Sequence, residues 1–170
     1  MGEPLIKVQI LPFEETPQRD LTGLIEELAS LGIEATLLPK ASVVPPSYNP
    51  QRKQHNAEIF LDRVRLAPGH CILGVTNRDL YVEGLNYVFG LADSPGKAAV
   101  ISLHRLHAGA DDMLFRARAV KEAVHELGHT RGLRHCADSR CVMAFSNSLA
   151  DIDRKGKEFC VRCTHKFRGH

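Results

Sequence analysis

The run from His125 to His135, H-E-L-G-H-T-R-G-L-R-H, constrains this chain more than any other part of it. His125 and His129 stand four residues apart, so on an α-helix their imidazoles rise from one face, about one turn from each other, where they can chelate one metal ion. Glu126 follows the first histidine directly and points slightly aside, placed as a base and not as a ligand. Gly132 can take a positive φ and stop the helix, so the chain turns and His135 comes back as a third nitrogen ligand. Three neutral imidazoles suit zinc and leave a fourth position for water, which separates a catalytic site from a closed structural one.

The short pattern H-E-x-x-H often arises by chance, so the weight rests on Gly132 and His135 at their offsets. With them the run becomes H-E-x-x-H-x-x-G-x-x-H, the metzincin signature, which is followed by a methionine in a tight turn beneath the metal. Met143 comes shortly after it. Cys136 and Cys141, with four residues between them, and the Cys160-Val161-Arg162-Cys163 knuckle offer four thiolates in two closely spaced pairs, the donor set of a closed tetrahedral zinc site. Two disulfides are the alternative, and the lack of a secretion signal argues against them.

In this combination the chain resembles the archaemetzincin family of metallopeptidases, by motif over the C-terminal third and by general layout elsewhere. The resemblance implies two zinc ions. One is catalytic, on His125, His129 and His135 with Glu126 as general base; the other is structural, on Cys136, Cys141, Cys160 and Cys163; Met143 occupies the Met-turn. It also implies an α/β (α+β) fold, a metzincin-like single domain over residues 1–170. A mixed twisted sheet, its helices and the active-site helix ending at Gly132 fill 1–132, and a short zinc-stabilised subdomain follows in 133–170. One departure stands out: Phe145 lies two residues after Met143, where some metzincins carry a tyrosine that reaches the metal, so that position supplies no fifth ligand.

The rest of the chain is compatible with this frame. A length of 170 residues fits one domain able to bury a core without disulfides, and 44% hydrophobic with 25% charged residues is ordinary for a soluble globular protein. A net charge of +2 gives no ground for a nucleic-acid partner. The N-terminus, Met-Gly-Glu-Pro-Leu-Ile-Lys, has no charged segment before a long apolar run, and no run approaches the roughly 18 apolar residues of a membrane span. The expectation is a cytoplasmic monomer without a membrane partner, in which the odd cysteine, Cys71, is a buried inert thiol.

In chain order, alternation over Ile6 to Leu11 predicts a half-buried strand, and Leu21, Leu24, Ile25, Leu28 and Leu31 predict an amphipathic helix over Asp20 to Leu31 that Gly32 stops. Ile33 to Leu38 reads as a second strand, giving a parallel pair with a helical crossover. Four prolines make Pro39 to Pro50 a loop. A second helix is expected over Lys53 to Ala67 and a buried strand over Cys71 to Val75, with His55 and His70 as surface or capping histidines. Asn86 to Ala92 and Ala98 to Leu103 flank the turn tetrapeptide Asp93-Ser94-Pro95-Gly96 and should pair antiparallel. His104 and His107 read as structural or cleft-lining. Asp111-Asp112 caps the active helix, whose Met113, Ala117, Val120, Val124 and Leu127 are expected to face the core while Arg118, Glu122, His125 and His129 form an exposed row.

By resemblance, Asn86 to Ala92 matches the edge strand that holds extended substrate in metzincins, which makes Asn86, Tyr87, Val88, Phe89 and Gly90 the candidate substrate-binding residues. Arg154, Lys155, Lys157, Arg162, Lys166 and Arg168 form a basic tail, by default a solvated face. Two functions stay open. The first is a zinc peptidase acting on a peptide or protein, with a variant in which Glu158 replaces His135 as third ligand, which the Gly132 spacing opposes. The second is a zinc-stabilised module that binds a protein or nucleic acid. Glu126 discriminates, since a purely structural site needs no base beside its metal.

Overall fold

The computed structural model describes residue 2 and residues 5–169. Met1, Glu3 and Pro4, part of the N-terminal stretch in which no leader was expected, lie outside the described residues. Strand β1 (Ile6–Pro12) leads through helix α1 (Gln18–Ser30) to β2 (Ile33–Leu37). The proline-rich loop ends in a short β3 (Tyr48–Asn49), then β4 (Gln54–Asn56) runs directly into α2 (Ala57–Arg65). After β5 (Ile72–Thr76), β6 (Leu80–Tyr81), β7 (Gly90–Ala92) and β8 (Ala98–Ser102) comes the long α3 (Asp112–Thr130), followed by α4 (Leu149–Arg154) and α5 (Val161–Arg168).

Five strands form one sheet in the order β2-β1-β5-β8-β7, parallel except for β7, and β3-β4-β6 form a small second sheet. The expected parallel unit is present, with Ile6 opposite Ile33. Every residue of β5 and β8 is buried, as suits strands covered on both faces. Helices α1 and α3 pack on one face, and α2 on the other against Leu11, Phe13, Ile72 and Val100. Val142, Met143, Ile152 and Phe167 join Val8, Ile10 and Leu127 in the first of these clusters, so the chain beyond Gly132 shares a core with the sheet. No helix among the described residues is long and apolar enough to cross a membrane.

Several sequence expectations need correction. The second helix begins at Ala57, with Asn56 capping it through Glu58 N–H, because Gln54 to Asn56 are held in the small sheet. His55 is buried beside Phe60 with Nδ1 2.8 Å from Ser47 Oγ, and is no surface histidine. Only Gly90 to Ala92 form the strand expected from Asn86 onward; Val88 N–H turns away to the Leu80 carbonyl, while Arg52 and Gln54 side chains hold the Asn86 carbonyl. Met113, at the start of α3, is 81% exposed and faces no core. Arg118 and Glu122, expected on an exposed row, are buried: Arg118 donates two 2.8 Å hydrogen bonds to the Asp153 carboxylate and others to the Leu106 and Ala108 carbonyls. From Phe115 onward, then, α3 is covered on nearly all sides, and the cleft reaches it only at its C-terminal half. Lys155 leaves the solvated basic tail for the interior.

Candidate active site

The C-terminal half of α3 carries the site. Asp111 caps the helix start by accepting from Leu114 N–H at 2.8 Å. At the other end Gly132, at φ 79°, lets Gly132 N–H reach the His129 carbonyl (2.8 Å) and Leu133 N–H the Gly128 carbonyl (3.1 Å), a Schellman stop. This stop swings His135 back over the helix. His125, His129 and His135 then offer ring nitrogens that all lie within 4.8 Å of one another.

The ring orientations test whether the cluster suits a metal. His125 Nδ1 lies 2.8 Å from the Val142 carbonyl and His129 Nδ1 2.7 Å from the Leu133 carbonyl. A carbonyl only accepts, so each Nδ1 carries the proton and each Nε2 presents a lone pair. These two Nε2 atoms face each other at 3.2 Å. Two lone pairs at that distance repel unless a cation lies between them, and tetrahedral zinc, at about 2.0 Å from each nitrogen, separates its ligands by about 3.3 Å. Burial first, and the Lys155 ammonium second, hold the His125 imidazole down to about 3, and burial lowers His129 and His135 as well. All three are neutral at neutral pH, as ligands must be. The residues present fit zinc.

Glu126 is 6% exposed and forms part of the cleft wall. Burial, reinforced by the Glu122 carboxylate, pushes its carboxyl well above the usual range. Gly90 lies directly against it. A methyl group there would stand 2.8 Å from Glu126 Cγ, 2.9 Å from its Oε1 and 2.8 Å from the Val100 carbonyl oxygen. Sequence reasoning took Gly90 only as part of an edge strand; its missing side chain is what gives Glu126 room. Met143 is fully buried and its thioether fills the space that a side chain at Gly128 would need.

A cleft of about 1000 Å³ runs between α3 with its following turn and residues 84–92. It is lined by Asn86, Tyr87, Val88, Phe89 and Gly90, but only Gly90 of these five lies on the edge strand. Ser102 N–H donates to the Phe89 carbonyl and Asp93 N–H to the Ala98 carbonyl, and Gly90 and Ala92 pair with Ile101 and Ala99. In that antiparallel pattern Gly90 and Ala92 are the residues not bonded to β8, so their N–H and C=O groups turn to the open side. Tyr87 donates to the Asn147 carbonyl at 2.9 Å and bridges the two walls. Phe145 is 63% exposed, its ring 5.2 Å from that of His135. His104 lines a smaller neighbouring pocket, and His107 stacks on Phe115 with Asp20 at 3.4 Å. Glu158 is exposed and outside the histidine cluster.

The four cysteines form a second group, their sulfurs also within 4.8 Å of one another, and none is in a disulfide. Cys141 Sγ accepts from Met143 N–H (3.4 Å) and Cys160 N–H (3.3 Å), and Cys136 Sγ from Arg162 (3.4 Å). Against the opposing effect of burial, the Asp138 amide and Arg162 bring Cys136 down to about 7, whereas burial and the neighbouring sulfurs push Cys163 up. Four such sulfurs ionise together only around a cation, so this donor set too fits zinc. Cys71 stands apart, half-buried, with burial raising its thiol.

Comparison with known proteins agrees with this picture. The peptidase family M54 model matches residues 43–169. The archaemetzincin of Archaeoglobus fulgidus is 47% identical over 135 residues, covering 79% of this chain and 82% of its own. The crystal structure of archaemetzincin from Methanopyrus kandleri superposes with a TM-score of 0.88 at 39% identity, covering 99% of this chain and 96% of that one. A zinc-dependent peptidase from Methanocorpusculum labreanum gives 0.80 at 29% identity, over 94% of this chain and 99% of that one. With the metzincin signature starting on α3 and these relatives along nearly its whole length, the chain belongs to peptidase family M54, the archaemetzincins, and is a zinc metallopeptidase.

Proposed function

We propose that the chain hydrolyses peptide bonds with His125, His129 and His135 holding a catalytic zinc and Glu126 acting as general base. The observation that carries this reading is the facing pair of unprotonated Nε2 atoms 3.2 Å apart beside a buried carboxylate in an open cleft. Zinc held there supplies Lewis acidity, which makes water acidic near neutral pH and polarises a carbonyl. The chain's own residues do the rest. The outward N–H and C=O groups of Gly90 and Ala92 add an extended peptide to β7, largely without regard to its side chains. Glu126, its basicity raised by burial, takes the proton of the attacking water and passes it to the amine that leaves when the C–N bond breaks. Cys136, Cys141, Cys160 and Cys163 hold a second, structural zinc that braces the segment following His135, so that 133–170 works as a zinc-stabilised subdomain within one domain. The reading includes a monomer that works in the cytoplasm on peptides or proteins.

Metal analysis with a peptide-library cleavage screen tests it. Wild type is expected to hold two zinc ions and His129→Ala one, and a mild chelator should remove the histidine-held ion first, since its site exchanges water while the thiolate site is closed. Loss of both ions together, or a wild type that never holds more than one, would contradict the assignment. Protein that binds its zinc, cleaves nothing and captures a partner through the cysteine subdomain would favour the binding-module reading.

Gly90→Ala gives a second check. The added methyl must displace Glu126 or open the β7–β8 pairing, and misplacing a catalytic group by about 1 Å costs up to about 10²-fold. The variant should cleave about 10²-fold more slowly while metal analysis finds unchanged zinc. Wild-type turnover in this variant would mean that Glu126 needs no such gap.

A further inference from the structure

Beside the histidine cluster a cation is buried that does not itself line the cleft. Lys155, which follows α4, is 3% exposed, with Nζ 3.3 Å from His125 Nδ1, 3.2 Å from the Ala144 carbonyl and 3.7 Å from Glu122 Oε1. The three neighbours belong to the first histidine of the signature, to the turn that carries Met143, and to α3 one turn before His125. Glu122 is 3% exposed, and its Oε1 has no hydrogen bond. As a source of stability such a pair is poor, because two apolar side chains of similar size often do as well or better in its place. What it does hold is geometry. The Ala144 carbonyl that Lys155 grips lies two residues after Val142, whose carbonyl orients the His125 ring at 2.8 Å.

We propose that Lys155, anchored by Glu122, is a positioning residue for the catalytic metal site: it clamps the Met143 turn to α3, so that the Val142 carbonyl stays where it directs His125 Nε2 toward the metal. The inference rests on the reading of His125 as a ligand. It needs no change of protonation, only the ammonium bridging turn and helix.

The test compares Lys155→Met and the double variant Glu122→Met/Lys155→Met with wild type. It measures thermal unfolding and the dissociation constant of the more labile zinc by competition with graded chelators. Zinc affinity is the readout and turnover is not, because Glu122 also acts electrostatically on Glu126. The single variant leaves a buried carboxylate unpaired and should melt lower; the double variant should recover wild-type melting. Both should bind the labile zinc about 10- to 100-fold more weakly, the usual cost of losing a group that orients a ligand. A stabilising pair without a positioning role would instead let the double variant recover zinc affinity together with melting temperature. Wild-type zinc affinity in either folded variant overturns the proposal. His129→Ala keeps the two failures apart: if it retains the labile zinc, the ligand assignment is wrong, and if it loses that zinc while the double variant binds normally, only the positioning role falls.

Discussion

Glu126→Gln is expected to keep both metals and to lose peptide cleavage by about 10²- to 10⁴-fold, the typical cost of removing a general base. The ligands are untouched and glutamine has the same shape, so the fit against Gly90 is preserved. What disappears is the ability to accept a proton from water at neutral pH. The loss should fall on kcat and spare KM, because the base acts in the transition state while the outward groups of β7 hold the peptide in either protein. Folding should not suffer, since the substitution removes a carboxylate whose ionisation burial already opposes. Steady-state kinetics on any peptide found by the library screen, with metal analysis alongside, decides the matter. A zinc-loaded variant that cleaves at the wild-type rate sinks the mechanism.

Cys163→Ser should do the opposite, damaging the fold first. Cys163 is buried at the start of α5 among three other sulfurs, close to the packing of Phe159 on Phe167. Structural zinc contributes about 10–16 kcal/mol to folding in zinc-finger peptides, and a three-thiolate remnant open to water keeps only part of such energy. A loss of only about 4 kcal/mol lowers the melting temperature of a chain this long by about 8–16 °C. Thermal melts of Cys163→Ser and Glu126→Gln side by side test it. Equal melting temperatures would show that the cysteine cluster is no structural site.

How much of this the sequence carried depends on how locally each feature is encoded. The clustering of the three histidines was legible because its offsets are short: helix geometry relates His125 to His129, and one glycine turn relates both to His135. The β1–α1–β2 unit was legible for a similar reason, since alternation and 3.6-residue periodicity are properties of a few turns. The misreadings come from contacts between distant segments. Glu122 and Lys155 look like surface charges until α4 is laid beside α3, and Arg118 looks exposed until Asp153 arrives to meet it. Asn86 to Val88 have the composition of a strand, but Arg52 and Gln54 side chains take the Asn86 carbonyl, Val88 N–H goes to Leu80, and the segment joins β8 only from the Phe89 carbonyl onward. Met113 fits the apolar row of α3 by spacing, yet its side of the first turn is open to solvent, while Phe115 in the same turn is buried against His107.

The two carbonyls behind His125 and His129 have a consequence of their own. Many metal-bound histidines lean on a carboxylate, which acid can neutralise and a point mutation can delete. Here both rings lean on main chain, at Val142 and Leu133. A peptide oxygen does not titrate in the physiological range and belongs to every residue type, so substitutions at 142 or 133 can alter packing but cannot remove the acceptor. The tautomer of both imidazoles is thus inherited from the path of the backbone, and drift in neighbouring side chains leaves it in place.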